Sequence, residues 1–141
     1  MRVRLLTSVL MIGAALAFAA APVSAQQKKG HGHGDHKHTH PTAQHGGVLE
    51  DVGEYHVELV VKDGTVSLHV RDHDAKDAAT DGFKATVLIT AGSQRVGPIE
   101  LKSAGGNKMD GAVAAVPPGA TAILTLSDKG GDVAQGRFKL K

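Results

Sequence analysis

Two runs of alternating residues, joined through an Asp-Gly turn, constrain this chain more than any other feature. Glu54-Tyr55-His56-Val57-Glu58-Leu59-Val60-Val61 alternates polar and apolar until its end, and Thr65-Val66-Ser67-Leu68-His69-Val70-Arg71-Asp72 alternates throughout. Lys62-Asp63-Gly64 lies between them. A period of two places successive side chains on opposite faces of a strand, and Asp-Gly supplies the left-handed backbone that a tight hairpin needs. With Asp63-Gly64 as the two-residue loop, Lys62 pairs with Thr65. Each step outward then pairs Val61 with Val66, Leu59 with Leu68 and Val57 with Val70 on one apolar face. Val60–Ser67, Glu58–His69 and His56–Arg71 fall on the other face.

The rest of the C-terminal part repeats this grammar. Lys84 to Thr90, Arg95 to Lys102, Lys108 to Ala115, Ala120 to Ser127 and Val133 to Lys141 read as short strands separated by Gly-, Pro- and Asp-rich turns. Pro98 implies an edge position or a bulge in its strand, because proline donates no ladder hydrogen bond. No window carries apolar residues at helical spacing. About seven strands with turns every 8–12 residues predict an all-β domain, a small antiparallel immunoglobulin-like β-sandwich, over residues 45–141. Aromatic residues are scarce there: Tyr55, Phe83 and Phe138. The core must therefore be built from Val, Leu, Ile and Ala.

The N-terminal part has no such pattern. Met1-Arg2-Val3-Arg4 is a basic start, Leu5 to Ala21 is apolar apart from Thr7 and Ser8, and Val23-Ser24-Ala25 has the small residues of a cleavage site. Residues 1–25 read as a secretory signal peptide cut after Ala25, which predicts a periplasmic protein with no membrane insertion after cleavage. An uncleaved anchor is the alternative, although an apolar run of about 17 residues sits at the lower limit for spanning a bilayer.

Residues 26–44 read as a disordered, His-rich tail, punctuated by Gly30, Gly32, Gly34 and Pro41. Here His31, His33, His36, His38 and His40 crowd together, with His45 close behind. Neutral imidazole is the commonest protein ligand for borderline transition metals, and a run so dense has no use in a packed core. Ligands two and three residues apart on a floppy chain form many overlapping sets. They predict several ions, modest affinity and fast exchange, rather than a closed four-ligand structural site.

Composition narrows the chemistry. The chain has 16 Lys and Arg against 14 Asp and Glu, and the excess of two is Arg2 and Arg4 of the signal. The mature chain is neutral apart from histidine, which argues against nucleic acid and acidic membranes as partners. With no Cys there are no disulfides, thiolate sites or cysteine nucleophiles. Met109 is the only methionine beyond the signal, so nitrogen and oxygen ligands favour copper(II), zinc, nickel or cobalt over copper(I).

The domain offers ligands of its own. His56, Glu58 and His69 share the polar hairpin face, where opposed Cβ atoms lie about 5 Å apart. Asp72-His73-Asp74 follows at the strand end and His45 precedes the first strand. His45, His56 and His73 are the preferred candidates, with His69, Glu58 and Asp72 in reserve. The plainer alternative is a half-exposed strand face in which Glu58 and His69 form a cross-strand hydrogen bond. Asp72 to Asp77 lacks the spacing and glycine of a calcium loop.

His45-Gly46-Gly47, Tyr55 to Gly64 and Val70-Arg71-Asp72-His73-Asp74 resemble a pattern in small exported bacterial proteins associated with heavy-metal efflux. The same HGG…YHxEL…DG segment is similar to one in periplasmic adaptor subunits of metal-exporting resistance-nodulation-division pumps. The resemblance covers residues 44–75. It implies metal handling in the periplasm, with an efflux component as a partner.

Together these features predict a periplasmic binding protein for divalent transition metals that buffers ions or hands them to an efflux system. The alternative is an envelope interaction module with a solvated His-rich spacer. No enzyme is expected, since the chain has no G-x-S-x-G elbow, Walker loop or H-E-x-x-H helix.

Overall fold

The computed structural model describes residues 41–141. The expected signal peptide and the expected ligands His31, His33, His36, His38 and His40 lie outside the described residues.

The Asp-Gly hairpin forms with the register that alternation dictates. β2 (Tyr55–Lys62) and β3 (Thr65–Arg71) pair antiparallel, with Lys62 opposite Thr65, Leu59 opposite Leu68, Glu58 opposite His69 and His56 opposite Arg71. Asp63 and Gly64 have φ values of 50° and 72°, the two positive angles of the primed turn that matches strand twist.

Among the described residues eight strands are present rather than about seven. β1 (Val48–Val52) precedes the hairpin and pairs with β2 across a two-residue turn, with Val52 opposite Tyr55. Its sequence, VLEDV, carries two acidic residues in five positions, and both are exposed. By register Asp51 shares the outer face of His56 and Glu58, while Glu50 shares the face of Val57 at the end of the strand order, so neither face of this short strand shows clean alternation.

The remaining strands are β4 (Lys84–Ala91), β5 (Gln94–Gly105), β6 (Lys108–Ala112), β7 (Thr121–Ser127) and β8 (Val133–Lys139). They are ordered β1-β2-β3-β6-β5-β4-β7-β8, all antiparallel. The all-β antiparallel architecture expected from the sequence is therefore present. Its two halves are joined through β5, whose first part pairs with β4 and whose last part pairs with β6. The ladder between β4 and β5 shifts register between Val87 and Ile89, opposite Gly97-Pro98. Of the two roles open to Pro98, the bulge is the observed one, since β5 is an interior strand. The outer strands β1 and β8 approach each other, so the sheet almost closes on itself.

The core lies inside this curl. Val57, Leu59, Val66, Leu68 and Val70 come from the hairpin, Val87 and Ile89 from β4, Met109 from β6, and Ala122, Leu124 and Leu126 from β7. Phe138 of β8 is the largest fully buried side chain. On β7 burial alternates at every residue, as one buried face demands. On β2 it does not: Val57, Glu58 and Leu59 are all buried, although consecutive side chains point to opposite faces. Something must cover the outer face at Glu58.

Candidate metal-ligand cluster around Glu58

The cover is the segment just before β1. Glu58 Oε1 accepts the backbone N–H groups of His45 at 2.8 Å and Gly47 at 2.9 Å. Its Oε2 accepts the backbone N–H of Gln44 at 2.8 Å and sits 2.9 Å from His45 Nδ1. Residues 44–47 thus wrap one carboxylate and lie flat on β2 as a strap. The neighbouring Thr42 carbonyl accepts from Arg71 Nη2 at 3.1 Å. Pro41 to Gln44, expected as the end of the disordered tail, therefore belong in part to the folded domain. Local polarity suggested otherwise, because their partners lie on strands well downstream.

The two glycines of His45-Gly46-Gly47 make this wrapping possible. Gly46 takes φ of 80°, in the left-handed region that favours glycine. At Gly47 a Cβ would collide with the Leu59 carbonyl and lie 2.8 Å from the Val60 Cγ2 methyl. Only a bare backbone passes so close to β2.

Glu58 is fully buried, and burial pushes its carboxyl pKa upward. The backbone N–H donors of Gln44 and Gly47, the His45 ring and the His45 backbone N–H outweigh that push. They lower the pKa from 4.5 to about 2. Glu58 is therefore an anion at neutral pH and can only accept hydrogen bonds. His45 Nδ1 must then carry the proton it shares with Glu58. In neutral His45 this leaves the lone pair on Nε2.

The His45 side chain is 42% exposed, and its ring stacks on that of His69 from β3. The ring centroids are 3.5 Å apart and the planes differ by 5°. Burial, then the neighbouring His45 and Lys108, push His69 below the ordinary histidine pKa, against the opposing pull of Glu58 and Asp110. Among the described residues, no hydrogen bond to the His69 ring is found. Beside it, Asp110 accepts from Ser67 Oγ at 2.7 Å and lies 2.9 Å from Lys108 Nζ.

The other expected ligands stand apart. His56 Nδ1 is 2.5 Å from Asp51 Oδ1, its cross-strand neighbour on β1. Asp72 Oδ1 accepts the backbone N–H groups of Asp74 and Lys76, both at 2.9 Å, so this carboxylate closes a turn. The Lys76 N–H is the main cause of its lowered pKa. His73 is exposed on the same turn, its Nε2 3.6 Å from Asp74. Among the described residues, no three His, Asp or Glu side chains converge on a position that could hold an ion. The preferred set of His45, His56 and His73 is not assembled. Glu58 is no open ligand either, because four donors saturate it. Its ring partner is His45, not His69 as the cross-strand pairing suggested.

A groove of about 580 Å³ lined by Phe83, Leu101, Ser103, Thr125 and Val133 lies elsewhere and holds none of these residues. No protein family, curated protein or solved structure matches this chain.

Proposed function

We propose that this chain is a periplasmic binding protein for divalent transition metals, of the copper(II), zinc, nickel and cobalt class. It buffers such ions or passes them to an efflux component. The observation that carries this reading is the crowding of imidazoles: His31, His33, His36, His38, His40 and His45 fall within fifteen residues, behind an export-type leader. Many interchangeable ligand sets favour capacity and exchange over tight retention. Ligation requires the neutral ring, so uptake is full near pH 7 and is lost as pH falls below about 6.

Equilibrium dialysis tests the reading. The full chain is compared with a variant carrying His31→Gln, His33→Gln, His36→Gln, His38→Gln and His40→Gln. The expected result is several ions per chain at pH 7 and loss of most of them in the variant. Equal uptake by the two proteins overturns the proposal.

A further inference from the structure

The strap ends at a second feature that the tail does not explain. A buried carboxylate takes four donors to hold one partly exposed imidazole in a single tautomer, and a second imidazole lies against its face. Holding a segment onto β2 requires only the backbone N–H bonds; it does not require a ring. Metal-ligating histidines commonly donate their second ring N–H to a carboxylate, which fixes the ring and raises the basicity of the ligating nitrogen. Glu58 and His45 have that arrangement, with the lone pair on the nitrogen remote from Glu58.

We infer that His45 and His69 form an ordered two-imidazole site for one divalent zinc- or copper(II)-class ion, with Glu58 as its positioning residue. This rests on the metal-binding reading above and adds the role of the domain: an open transfer site beside the point where the tail begins. The two rings contribute unequally. An ion bound to an imidazole lies near the ring plane, and two parallel planes 3.5 Å apart cannot share one ion. One ring must turn. His45 is fixed through Nδ1 to Glu58, whereas the His69 ring has no hydrogen bond among the described residues and is the one that swings. Opening the stack gives up a single ring–ring contact, a small loss beside two metal–nitrogen bonds. Two protein ligands leave the other coordination positions to solvent or an incoming donor, which suits release better than storage.

The site is tested on the full chain whose five tail histidines (His31, His33, His36, His38, His40) are replaced by Gln, titrated with zinc and followed by nitrogen NMR of the imidazoles. The expected result is one zinc per chain, with His45 Nε2 and a His69 nitrogen shifting on binding while the His45 Nδ1–H to Glu58 persists. In the same background, His69→Phe keeps an aromatic ring on His45 but removes the nitrogens. It is expected to weaken zinc binding at least tenfold while leaving the unfolding midpoint close to that of its parent. Glu58→Gln is expected to weaken binding roughly 10- to 100-fold, as loss of such a supporting carboxylate does. Zinc binding of unchanged strength in His69→Phe, or a titration that leaves both rings unshifted, overturns the inference. These outcomes concern the one remaining ion. The several ions lost with the tail histidines test the broader function separately, so either reading can fail alone.

Discussion

Replacing Glu58 by Gln should produce a stability loss with a characteristic dependence on pH. The carboxyl has its pKa lowered from 4.5 to about 2 in the folded chain. A pKa change of one corresponds to about 1.36 kcal/mol, so the ionised group contributes about 3 kcal/mol of folding free energy at neutral pH. The sign follows from linkage. A depressed folded-state pKa gives stability that is fully present above the unfolded value, here 4.5, and is lost as pH falls through the folded value near 2. The glutamine amide has one acceptor oxygen where the carboxylate had two, so it also strands strap N–H donors, at a cost of about 1–3 kcal/mol that does not vary with pH. Urea unfolding of wild type and Glu58→Gln at intervals from pH 7 to pH 2 separates the two parts. Other titrating groups are shared by both proteins and cancel to first order. The expected gap is several kcal/mol at pH 7, constant down to about pH 5, then narrowing by about 3 kcal/mol toward pH 2. A gap that stays constant over the whole range would refute the claim that the strap is held by an ionised carboxylate.

Two further substitutions probe the same neighbourhood. Gly47→Ala drives a methyl toward the Leu59 carbonyl and the Val60 side chain, and should lift the strap at a cost of about 1–3 kcal/mol; an unfolding midpoint indistinguishable from wild type would count against the close approach. At Asp110, burial pushes the carboxyl up, but hydrogen bonds from Ser67 and Lys108 prevail and hold it below the usual carboxylate range. Ser67→Ala should therefore raise the Asp110 pKa, read from its side-chain carbon shift in an NMR titration, and an unmoved or lowered value would refute the contribution of the Ser67 hydrogen bond.

The hairpin of β2 and β3 was legible residue by residue because everything that specifies it is local. Alternation fixes the faces, and Asp63-Gly64 fixes the register. That Pro98 marks either an edge or a bulge was legible for the same reason, since a missing donor is a property of the residue itself; the choice of the bulge was not, because it depends on β5 lying between β4 and β6. β1 was not, because Glu50 and Asp51 interrupt the apolar pattern that marks a strand. The state of Glu58 was not legible either. Its place on the hairpin says only that it faces away from the core. Its burial is imposed by residues 44–47 folding back over it, and the sign of that lay in Gly46-Gly47, which reads equally well as a boundary. The pairing of His45 with His69 joins the strap to β3, a proximity that no spacing within either segment reveals. His56 and His73 stand apart from that pair, the first beside Asp51 of β1 and the second beside Asp74 on an exposed turn.

The strand order also sets a timetable for assembly. β3, which carries His69, receives its outer neighbour along Thr65 to His69 from β6, through pairs such as Thr65 with Ala112. Growing from its N-terminus, the chain completes the hairpin early, and the Arg71–Asp77 bridge caps only the end of the free side of β3, so Thr65 to His69 stay unpaired there until β6, from Lys108 to Ala112, has emerged. During that interval an apolar, β-prone edge stands open to other nascent copies. Contacts between segments so distant in sequence also form slowly. Premature termination between β3 and β6 should therefore yield sticky fragments, whereas loss of β8 alone would leave that edge already sealed.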